Sequence, residues 1–322
     1  MQKTSQKQNY SVTAPPDTFE LVIPPDCAGL RLDQALARLL PEHSRSRLSQ
    51  WVRDARVRVE DLTALPRDKV WGGERVRVQP AADPARLTHL PQDIPLDIVH
   101  EDDAILVVNK PPGLVVHPGS GNWEGTLLNA LLRHAPELSE VPRAGIVHRL
   151  DKDTSGLLVV AKTLTAQTNL VRQLQARTVR REYAAIAHGV VARDGRVEAP
   201  IGRHPVSRTR MAVIARGKPA VTHYKVVTRY AEATLLECRL ETGRTHQIRV
   251  HLASIGHPLV GDPVYGKRAG KSRTAHFDRQ ALHARRLEIV HPVSHRPMSW
   301  QAPVPEDMQR LITTLSAEAH HA

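Results

Sequence analysis

Two segments near the start of the chain carry apolar residues at helical spacing. In residues 30–40, four leucines form the apolar side of an amphipathic helix. Ser44 is a suitable N-cap for a second helix over residues 45–54, whose apolar residues lie four apart. The segments that follow alternate apolar and charged residues, which predicts short strands at 57–59 and 75–78. We predict a small, mainly helical domain over residues 18–80.

Residues 81–95 contain several prolines and predict a linker, after which the apolar runs become longer. The continuous run 156–162 predicts a buried strand, and the short run 145–147 predicts another just before it. The other strands are predicted at 96–99, 104–109, 179–187, 221–229, 234–241, 282–290 and 298–300. Amphipathic helices are predicted at 126–134, 165–176, 244–254 and 305–315. This pattern predicts a larger domain of mixed α and β structure over 96–316, followed by a frayed tail at 317–322.

The composition points to a partner with many negative charges. The net charge is +12 and the isoelectric point is near 10.1, and neutralising phosphates provides much of the affinity of proteins for nucleic acids. On charge alone, an ordinary soluble protein rich in arginine remains an alternative. The two cysteines, Cys27 and Cys238, exclude a disulfide framework and a zinc site built from cysteines.

Hydropathy predicts a soluble protein. Residues 1–17 are polar and lack the apolar core of a signal peptide, so we predict a disordered arm there. No stretch approaches the ~20 apolar residues that a membrane span needs. We expect a cytoplasmic protein with no membrane partner, and the scarcity of cysteine is consistent with a reducing compartment.

The strongest candidate for chemistry is Asp151, on the predicted loop between the strands at 145–147 and 156–162. Loops held by a rigid scaffold often carry reactive side chains. The neighbours His148, Arg149 and Lys152 are basic, and nearby positive charge favours the ionised carboxylate. Asp151 is therefore a candidate nucleophile.

The sequence of this loop allows two other interpretations. Asp151, Asp153 and Ser155 fall at the ligand positions of a calcium loop, but the position of its essential glutamate is Lys162, which excludes calcium. Alternatively, the loop is only a turn whose side chains satisfy backbone donors. The histidines are scattered without a His-Glu-x-x-His pair, so we predict no metal.

The segment 148–156, His-Arg-Leu-Asp-Lys-Asp-Thr-Ser-Gly, resembles the signature of the RluA family of pseudouridine synthases. The segment 243–251, Gly-Arg-Thr-His-Gln-Ile-Arg-Val-His, resembles the second signature of that family, and segments 109–113 and 281–284 match it in the expected order. The resemblance covers about residues 20 to 305. It implies an α+β fold with a mixed, mostly antiparallel sheet, flanking helices and a central basic cleft, preceded by an S4-like RNA-binding domain.

The resemblance also implies a reaction and a substrate. The reaction is the isomerisation of uridine to pseudouridine in RNA without a cofactor or metal. The branch that the chain resembles most modifies large-subunit ribosomal RNA. This RNA can be presented to the enzyme in a pre-ribosomal large subunit. Transfer RNA is the main rival substrate, and we expect the protein to act as a monomer.

Four residues receive catalytic or RNA-binding roles from the resemblance. Asp151 is the nucleophile, and Tyr183 lies against the target uracil. Arg244 pairs with Asp151, and Arg149 occupies the gap that the flipped nucleotide leaves. Base stacking on an aromatic ring and extrusion of the target nucleotide both fit RNA chemistry.

Further RNA contacts are expected from basic residues in two places. The second predicted helix presents Arg45, Arg47 and Arg53 to solvent, where phosphate contacts would position RNA without reading its sequence. The basic, glycine-containing loop after residue 266 contributes Lys267, Arg268, Lys271 and Arg273.

Two other classes of function remain open at this point. One is a non-catalytic RNA-binding factor in ribosome assembly that keeps the same fold. The other is a hydrolytic nucleosidase or glycosidase that uses Asp151. Glycosidases pair two carboxylates, and the lack of a second carboxylate motif disfavours this class.

Overall fold

The strand that follows Asp151 is buried along its whole length, from Ser155 to Ala161. Its alternate side chains enter two different hydrophobic cores: Leu158 and Val160 pack in one, and Leu157 and Val159 in the other. A central strand with both faces covered reads as a continuous apolar run. This arrangement explains why the predicted strand shows no alternation.

This strand lies within a computed structural model that describes residues 18–41, 43–80, 90–119, 122–207, 209–266 and 277–318. Its contacts divide the chain into two compact units, Met1–Arg86 and Leu87–Ala322. Among the residues described, no helix is both long and apolar enough to cross a membrane. The predicted arm at 1–17, most of the predicted linker and the four basic residues predicted in the loop after residue 266 lie outside the described residues.

The first unit combines two helices with a small antiparallel sheet of order β1-β4-β2-β3. Its strands are β1 (Phe19–Val22), β2 (Val57–Val59), β3 (Leu62–Thr63) and β4 (Arg75–Val78). Its helices are α1 (Leu32–Leu39) and α2 (Arg45–Arg53). The side chain of Ser44 caps α2 by accepting a hydrogen bond from the backbone N–H of Arg47 at 3.3 Å, as predicted.

The second unit is built on a nine-stranded sheet of order β5-β6-β7-β14-β8-β13-β12-β9, with β15 paired to β14. Its strands are β5 (Ile98–Glu101), β6 (Ile105–Lys110), β7 (Ser155–Ala161), β8 (Arg180–His188), β9 (Gly195–Glu198), β12 (Val221–Arg229), β13 (Ala233–Leu240), β14 (Leu282–Val290) and β15 (Pro297–Gln301). Only the β7–β14 pair is parallel among the strand pairs of this described sheet. The prediction of a mixed, mostly antiparallel sheet in an α+β protein is confirmed.

Four helices and a separate hairpin complete the second unit. The helices are α3 (Leu127–His134), α4 (Leu164–Gln175), α5 (Gln247–Ser254) and α6 (Glu306–Glu318). The hairpin consists of β10 (Ile201–Arg203) and β11 (Met211–Val213). Helix α6 extends past the predicted end at residue 315, so the first residues of the predicted tail are helical.

The prediction of a strand at 145–147 was wrong. Residues 142–145 form a turn in which Arg143 and Ala144 take the left-handed conformation, and Ile146 makes only an isolated bridge to Val160. Gly145 has φ +74°, and a Cβ there would lie 1.8 Å from the carbonyl oxygen of Ala161. The chain is therefore a tight turn at this point, and only glycine allows so close an approach.

The prediction that α5 begins at Arg244 was also wrong, because the helix begins at Gln247. His246 precedes it in the left-handed conformation, with φ 57°. Residues 244–246 therefore do not follow the helical path, and their side chains point in other directions than a helix would give them. This change of three residues decides which arginine reaches Asp151.

Candidate active site

A cavity of about 1040 Å³ in the second unit is lined by residues from both signature segments. Asp151 comes from the loop before β7, Tyr183 from β8, and Arg249 from the first turn of α5. Basic side chains dominate its charged lining: Arg143, Arg149, Arg177, Arg181, Arg244 and Arg249 stand against Asp151 and Glu241.

Asp151 is the only aspartate among the residues that line this cavity. The backbone N–H of Thr154 donates to its carbonyl oxygen at 3.1 Å, which closes the turn that leads into β7. The side chain is 16% exposed, and its Oδ2 accepts a hydrogen bond from Nη1 of Arg249 at 3.0 Å. Its Oδ1 lies 3.9 Å from Nε2 of His246. The carboxylate is thus held by one arginine while it still faces the cavity.

Arg249 is a buried arginine fixed by two carboxylates. Its Nε and Nη2 donate to the two oxygens of Asp262 at 2.7 and 2.9 Å, and its Nη1 donates to Asp151. Burial by itself lowers the pKa of Arg249, but the hydrogen bonds and charges of Asp262 and Asp151 outweigh it and raise the pKa. A guanidinium group that donates hydrogen bonds from three nitrogens has little freedom to rotate. It therefore holds the carboxylate of Asp151 in a fixed orientation.

The expected pair between Arg244 and Asp151 is replaced by the pair with Arg249. Arg244 is half-buried and lines the same cavity, but its Nε donates to the carbonyl oxygen of Pro219 at 3.1 Å. The cause is the later start of α5, which puts Arg249 rather than Arg244 on the first helical turn. Both arginines belong to the segment 243–251. The sequence therefore indicated the correct segment but the wrong arginine within it.

Tyr183 lies on β8 between Cys238 of β13 and Ala284 of β14, and it lines the cavity. It is buried, and its hydroxyl has no hydrogen bond to any described residue. Burial raises the pKa of Tyr183; the charge of Arg181 opposes this effect, and that of Asp151 adds to it. The side chain is therefore a neutral phenol close to Asp151 with its polar end available.

His246 and Tyr265 form a second layer behind Asp151 that the sequence did not reveal. Nδ1 of His246 lies 2.9 Å from the hydroxyl oxygen of Tyr265, which also accepts the backbone N–H of Met211 at 2.8 Å. Burial lowers the pKa of His246, although the charge of Asp151 opposes it. A neutral ring that receives the Tyr265 proton at Nδ1 carries its own proton on Nε2, which faces the anionic carboxylate.

Lys110 connects the loop after β6 to the loop that carries Asp151. Its Nζ donates to the carbonyl oxygens of Pro111, Leu114 and Lys152 at 2.7, 2.9 and 2.9 Å. It is almost fully buried, and burial lowers its pKa to about 7, against the opposing charges of Asp153 and Asp151. Lys110, the lysine of the Asn-Lys-Pro-Pro-Gly segment, thus holds the backbone of Lys152, which is the residue next to Asp151.

The structure describes only some of the residues that we predicted to contact RNA. Arg149 is exposed and lines the cavity, and Arg53 is exposed on α2. Arg45 is exposed as well, but its Nη2 donates to both oxygens of Asp33 at 3.1 Å. The guanidinium of Arg47 lies 5.4 Å from the ring centre of Trp51. The predicted contacts Lys267, Arg268, Lys271 and Arg273 lie outside the described residues.

The described residues hold no cluster of three or more His, Cys, Asp or Glu side chains placed to bind a metal ion. The side chains that line the cavity offer a carboxylate, a phenol, an imidazole and several guanidinium groups. Such a set fits attack on, or stabilisation of, an electron-poor sugar carbon beside a bound aromatic base.

Comparisons with known proteins identify the family of this chain. A family model described as RNA pseudouridylate synthase matches residues 104–254. The chain is 57% identical over 308 residues to ribosomal large subunit pseudouridine synthase D of Nitrosomonas europaea, which covers 94% of this chain and 90% of that protein. It is 54% identical over 301 residues to the protein of the same name from Escherichia coli strain K12, covering 90% and 92% respectively.

Solved structures give the same class at lower identity. Human RNA pseudouridylate synthase domain containing 1 matches with a TM-score of 0.53 and 27% identity, covering 70% of this chain and 96% of that chain. Human RNA pseudouridylate synthase domain containing 4 matches with a TM-score of 0.54 and 25% identity, covering 68% and 92%. Fold, cavity and relatives together define an RNA pseudouridine synthase. Within that class the chain belongs to the RluA family, as its two signature segments predicted.

Proposed function

We propose that this protein isomerises uridines of large-subunit ribosomal RNA to pseudouridine, with Asp151 as the nucleophile. The observation that carries the proposal is the 3.0 Å ion pair between Asp151 and Arg249, in a cavity that Tyr183 also lines. The basic lining suits a polyanionic substrate, and the relatives named above are ribosomal large subunit enzymes.

The reaction moves the bond of sugar carbon C1′ from N1 of uracil to C5. The C1′–N1 bond breaks, the C1′–C5 bond forms, the proton on C5 is lost and N1 gains one. In our proposal Arg249 holds Oδ2 of Asp151, which leaves Oδ1 as the oxygen that attacks the nucleoside as the glycosidic bond breaks. A uracil anion is a tolerable leaving group, so one carboxylate suffices where glycosidases use two.

Tyr183 and His246 act on the base and sugar around that step. The ring of Tyr183 packs against the uracil while it turns, and its hydroxyl is placed to relay the proton that leaves C5. The Nε2–H of His246, 3.9 Å from Oδ1 of Asp151, donates a hydrogen bond to the nucleotide that enters this gap. Arg149 replaces the flipped nucleotide in its RNA helix, which reduces the cost of extrusion.

The first unit is an S4-like RNA-binding domain in this proposal. Two helices with exposed Arg45 and Arg53 stand on a small sheet, and phosphate contacts from them position the RNA. The protein acts on RNA in the cytoplasm as a monomer. Removing residues 1–86 is expected to weaken RNA binding or redirect the choice of uridine, while the second unit keeps the chemical step. Unchanged affinity and unchanged choice of uridine would overturn the S4 assignment.

Mapping pseudouridine chemically in transcribed RNA tests the substrate directly. The full chain is incubated with transcribed large-subunit ribosomal RNA or with transfer RNA, and pseudouridines are located by carbodiimide modification and primer extension. New stops in ribosomal RNA alone support the proposal. Stops in transfer RNA alone identify the rival substrate. Release of free uracil would indicate a nucleosidase, and binding without any product would indicate an assembly factor.

A further inference from the structure

Arg181, on β8, is a buried cation that has no counter-ion among the described residues. It is 7% exposed and lines the same cavity as Asp151. Its Nε is sealed from solvent, and the guanidinium has no hydrogen bond or ion pair with any residue in the described ranges. Burying an unpaired charge is strongly unfavourable, so native proteins rarely keep one without a partner. The described chain does not supply that partner.

The chain makes room for this guanidinium at Gly243. A Cβ at Gly243 would lie 2.8 Å from Nη1 of Arg181. The φ of Gly243 lies outside the left-handed region, so its backbone conformation would permit another residue. A side chain at this position would therefore displace the guanidinium of Arg181 from where it lies.

A second buried donor, for which the described residues hold no acceptor, lies beside Arg181. Nε2 of His148 accepts the backbone N–H of Val159 at 3.1 Å, so the ring proton belongs on Nδ1. Nδ1 is buried and has no partner within the described residues. Burial and the charge of Arg181 lower the pKa of His148 to about 3, so the ring stays neutral and remains a donor. His148 also lines the cavity.

The position of Arg181 indicates which anion fits. Arg181 and Tyr183 are alternate residues of one strand, so their side chains leave the same face about 7 Å apart. A nucleotide whose base packs against Tyr183 carries its own phosphodiester within the reach of an arginine at that distance. The exposed arginines at the cavity can bind phosphates of any RNA on the surface, whereas a buried one meets a phosphate only after the nucleotide has entered.

We propose that Arg181, assisted by His148, binds the phosphodiester adjoining the target nucleotide once that nucleotide has been flipped into the cavity. This inference rests on the proposed function, because it needs an RNA whose uridine enters the site. It assigns to Arg181 a role in recognising the extruded nucleotide, separate from the part of Arg249 in holding the nucleophile.

Variants Arg181→Met and Arg181→Lys test the proposal against Arg180→Met, which removes an exposed arginine from the neighbouring position of the same strand. Affinity for transcribed large-subunit ribosomal RNA is measured by filter binding from low to high salt, and Tm is measured for each full-length variant. Arg181→Met is expected to weaken binding about tenfold or more, because a charge-assisted contact is lost. Its plot of log affinity against log salt should flatten by about 0.7 to 0.9, the effect of one phosphate.

The stability readout separates a binding role from a structural one. Removing an uncompensated buried charge should leave Tm of Arg181→Met unchanged or raise it, and Arg181→Lys should recover part of the affinity. Arg180→Met should bind as the parent does. Unchanged affinity and salt slope in Arg181→Met, or a large fall in Tm, would overturn the inference. If the parent protein itself forms no pseudouridine in this RNA, it is the proposed function that fails.

Discussion

Two buried arginines in one cavity show opposite electrostatic arrangements. Arg249 is 4% exposed and donates to both Asp262 and Asp151. Arg181 is 7% exposed and has no carboxylate partner among the described residues. A cation that is already paired is held in one place before the substrate arrives. A cation that is unpaired gains its partner only with the substrate.

In the proposed function, this difference separates a residue that holds the nucleophile from a residue that recognises the RNA. Breaking a buried ion pair leaves the other charge unsatisfied, which typically costs about 3–5 kcal/mol. Removing a buried charge that has no partner carries no such penalty. Substitution of Arg249 should therefore lower both the stability and the rate. Substitution of Arg181 should lower the affinity for RNA without lowering the stability.

Arg249→Met should produce the largest change. It leaves Asp262 buried without its cation and frees Asp151 to move, so the free energy of unfolding should fall by about 3–5 kcal/mol. The single-turnover rate of pseudouridine formation should fall by at least about 10². Urea denaturation and rapid-quench assays measure the two effects.

The double variant Arg249→Met with Asp262→Leu is the matched control. It removes the buried charge that Arg249→Met leaves unpaired, so part of the stability should return while the rate stays low. The recovery should stop short of the parent because the backbone N–H groups of Val264 and Tyr265 lose the Asp262 oxygen that accepts them. Full activity in either variant would show that Asp151 does not depend on this arginine.

Lys110 extends the comparison to a buried cation that is satisfied by three carbonyl oxygens. Burial lowers its pKa to about 7, so between that pH and the ordinary pKa of lysine the unfolded chain binds more protons than the folded one. The contribution of Lys110 to the free energy of unfolding should therefore rise as pH increases from about 7 to about 10.

Replacing this lysine tests that dependence. The difference in free energy of unfolding between the parent and Lys110→Met should shift in favour of the parent by a few kcal/mol from pH 7 to pH 10. Urea denaturation at the two pH values measures it. A difference that is the same at both pH values would contradict the assigned effect of burial.

Tyr265→Phe should have a moderate effect on rate. It removes the hydroxyl that fixes the ring of His246 and leaves the apolar contact between them. Loss of one neutral hydrogen bond corresponds to about a fivefold lower single-turnover rate, with unchanged RNA affinity. An RNA affinity about fivefold lower with an unchanged single-turnover rate would show that His246 contributes only to RNA binding.

Arg244→Ala should have the smallest effect on the chemical step. The side chain donates to Pro219 and does not contact Asp151, so the single-turnover rate at saturating RNA should fall less than about threefold. The same assay on Arg249→Ala gives the contrast. A greater loss in Arg244→Ala than in Arg249→Ala would restore the pairing that the sequence suggested.

The apolar pattern predicted most of the fold because burial is periodic along the chain. The run at 156–162 and the alternating strand at 221–229 appear where expected, and α2 begins after Ser44. The strand predicted at 145–147 failed because Gly145 takes a positive φ in a close turn, which no apolar pattern encodes.

The sequence indicated the segments that form the site but not every residue that contacts them in the fold. Asp151 and Tyr183 line one cavity as the resemblance implied, whereas Arg249 replaces Arg244 because His246 takes a left-handed conformation. Asp262 and Tyr265 meet the site through a turn well after the motif, so only the folded chain brings them together. A histidine in a left-handed conformation gives no sequence signal that spacing can detect.

Asp151→Asn provides the most direct test of the central claim. The substitution keeps the size of the side chain and removes its negative charge, and the full-length variant is compared with the parent for RNA affinity and single-turnover pseudouridine formation on large-subunit ribosomal RNA. We expect affinity within about threefold of the parent and a rate lowered by at least about 10⁴. A variant that binds RNA and still forms pseudouridine at a substantial fraction of the parent rate would show that this carboxylate is not the nucleophile.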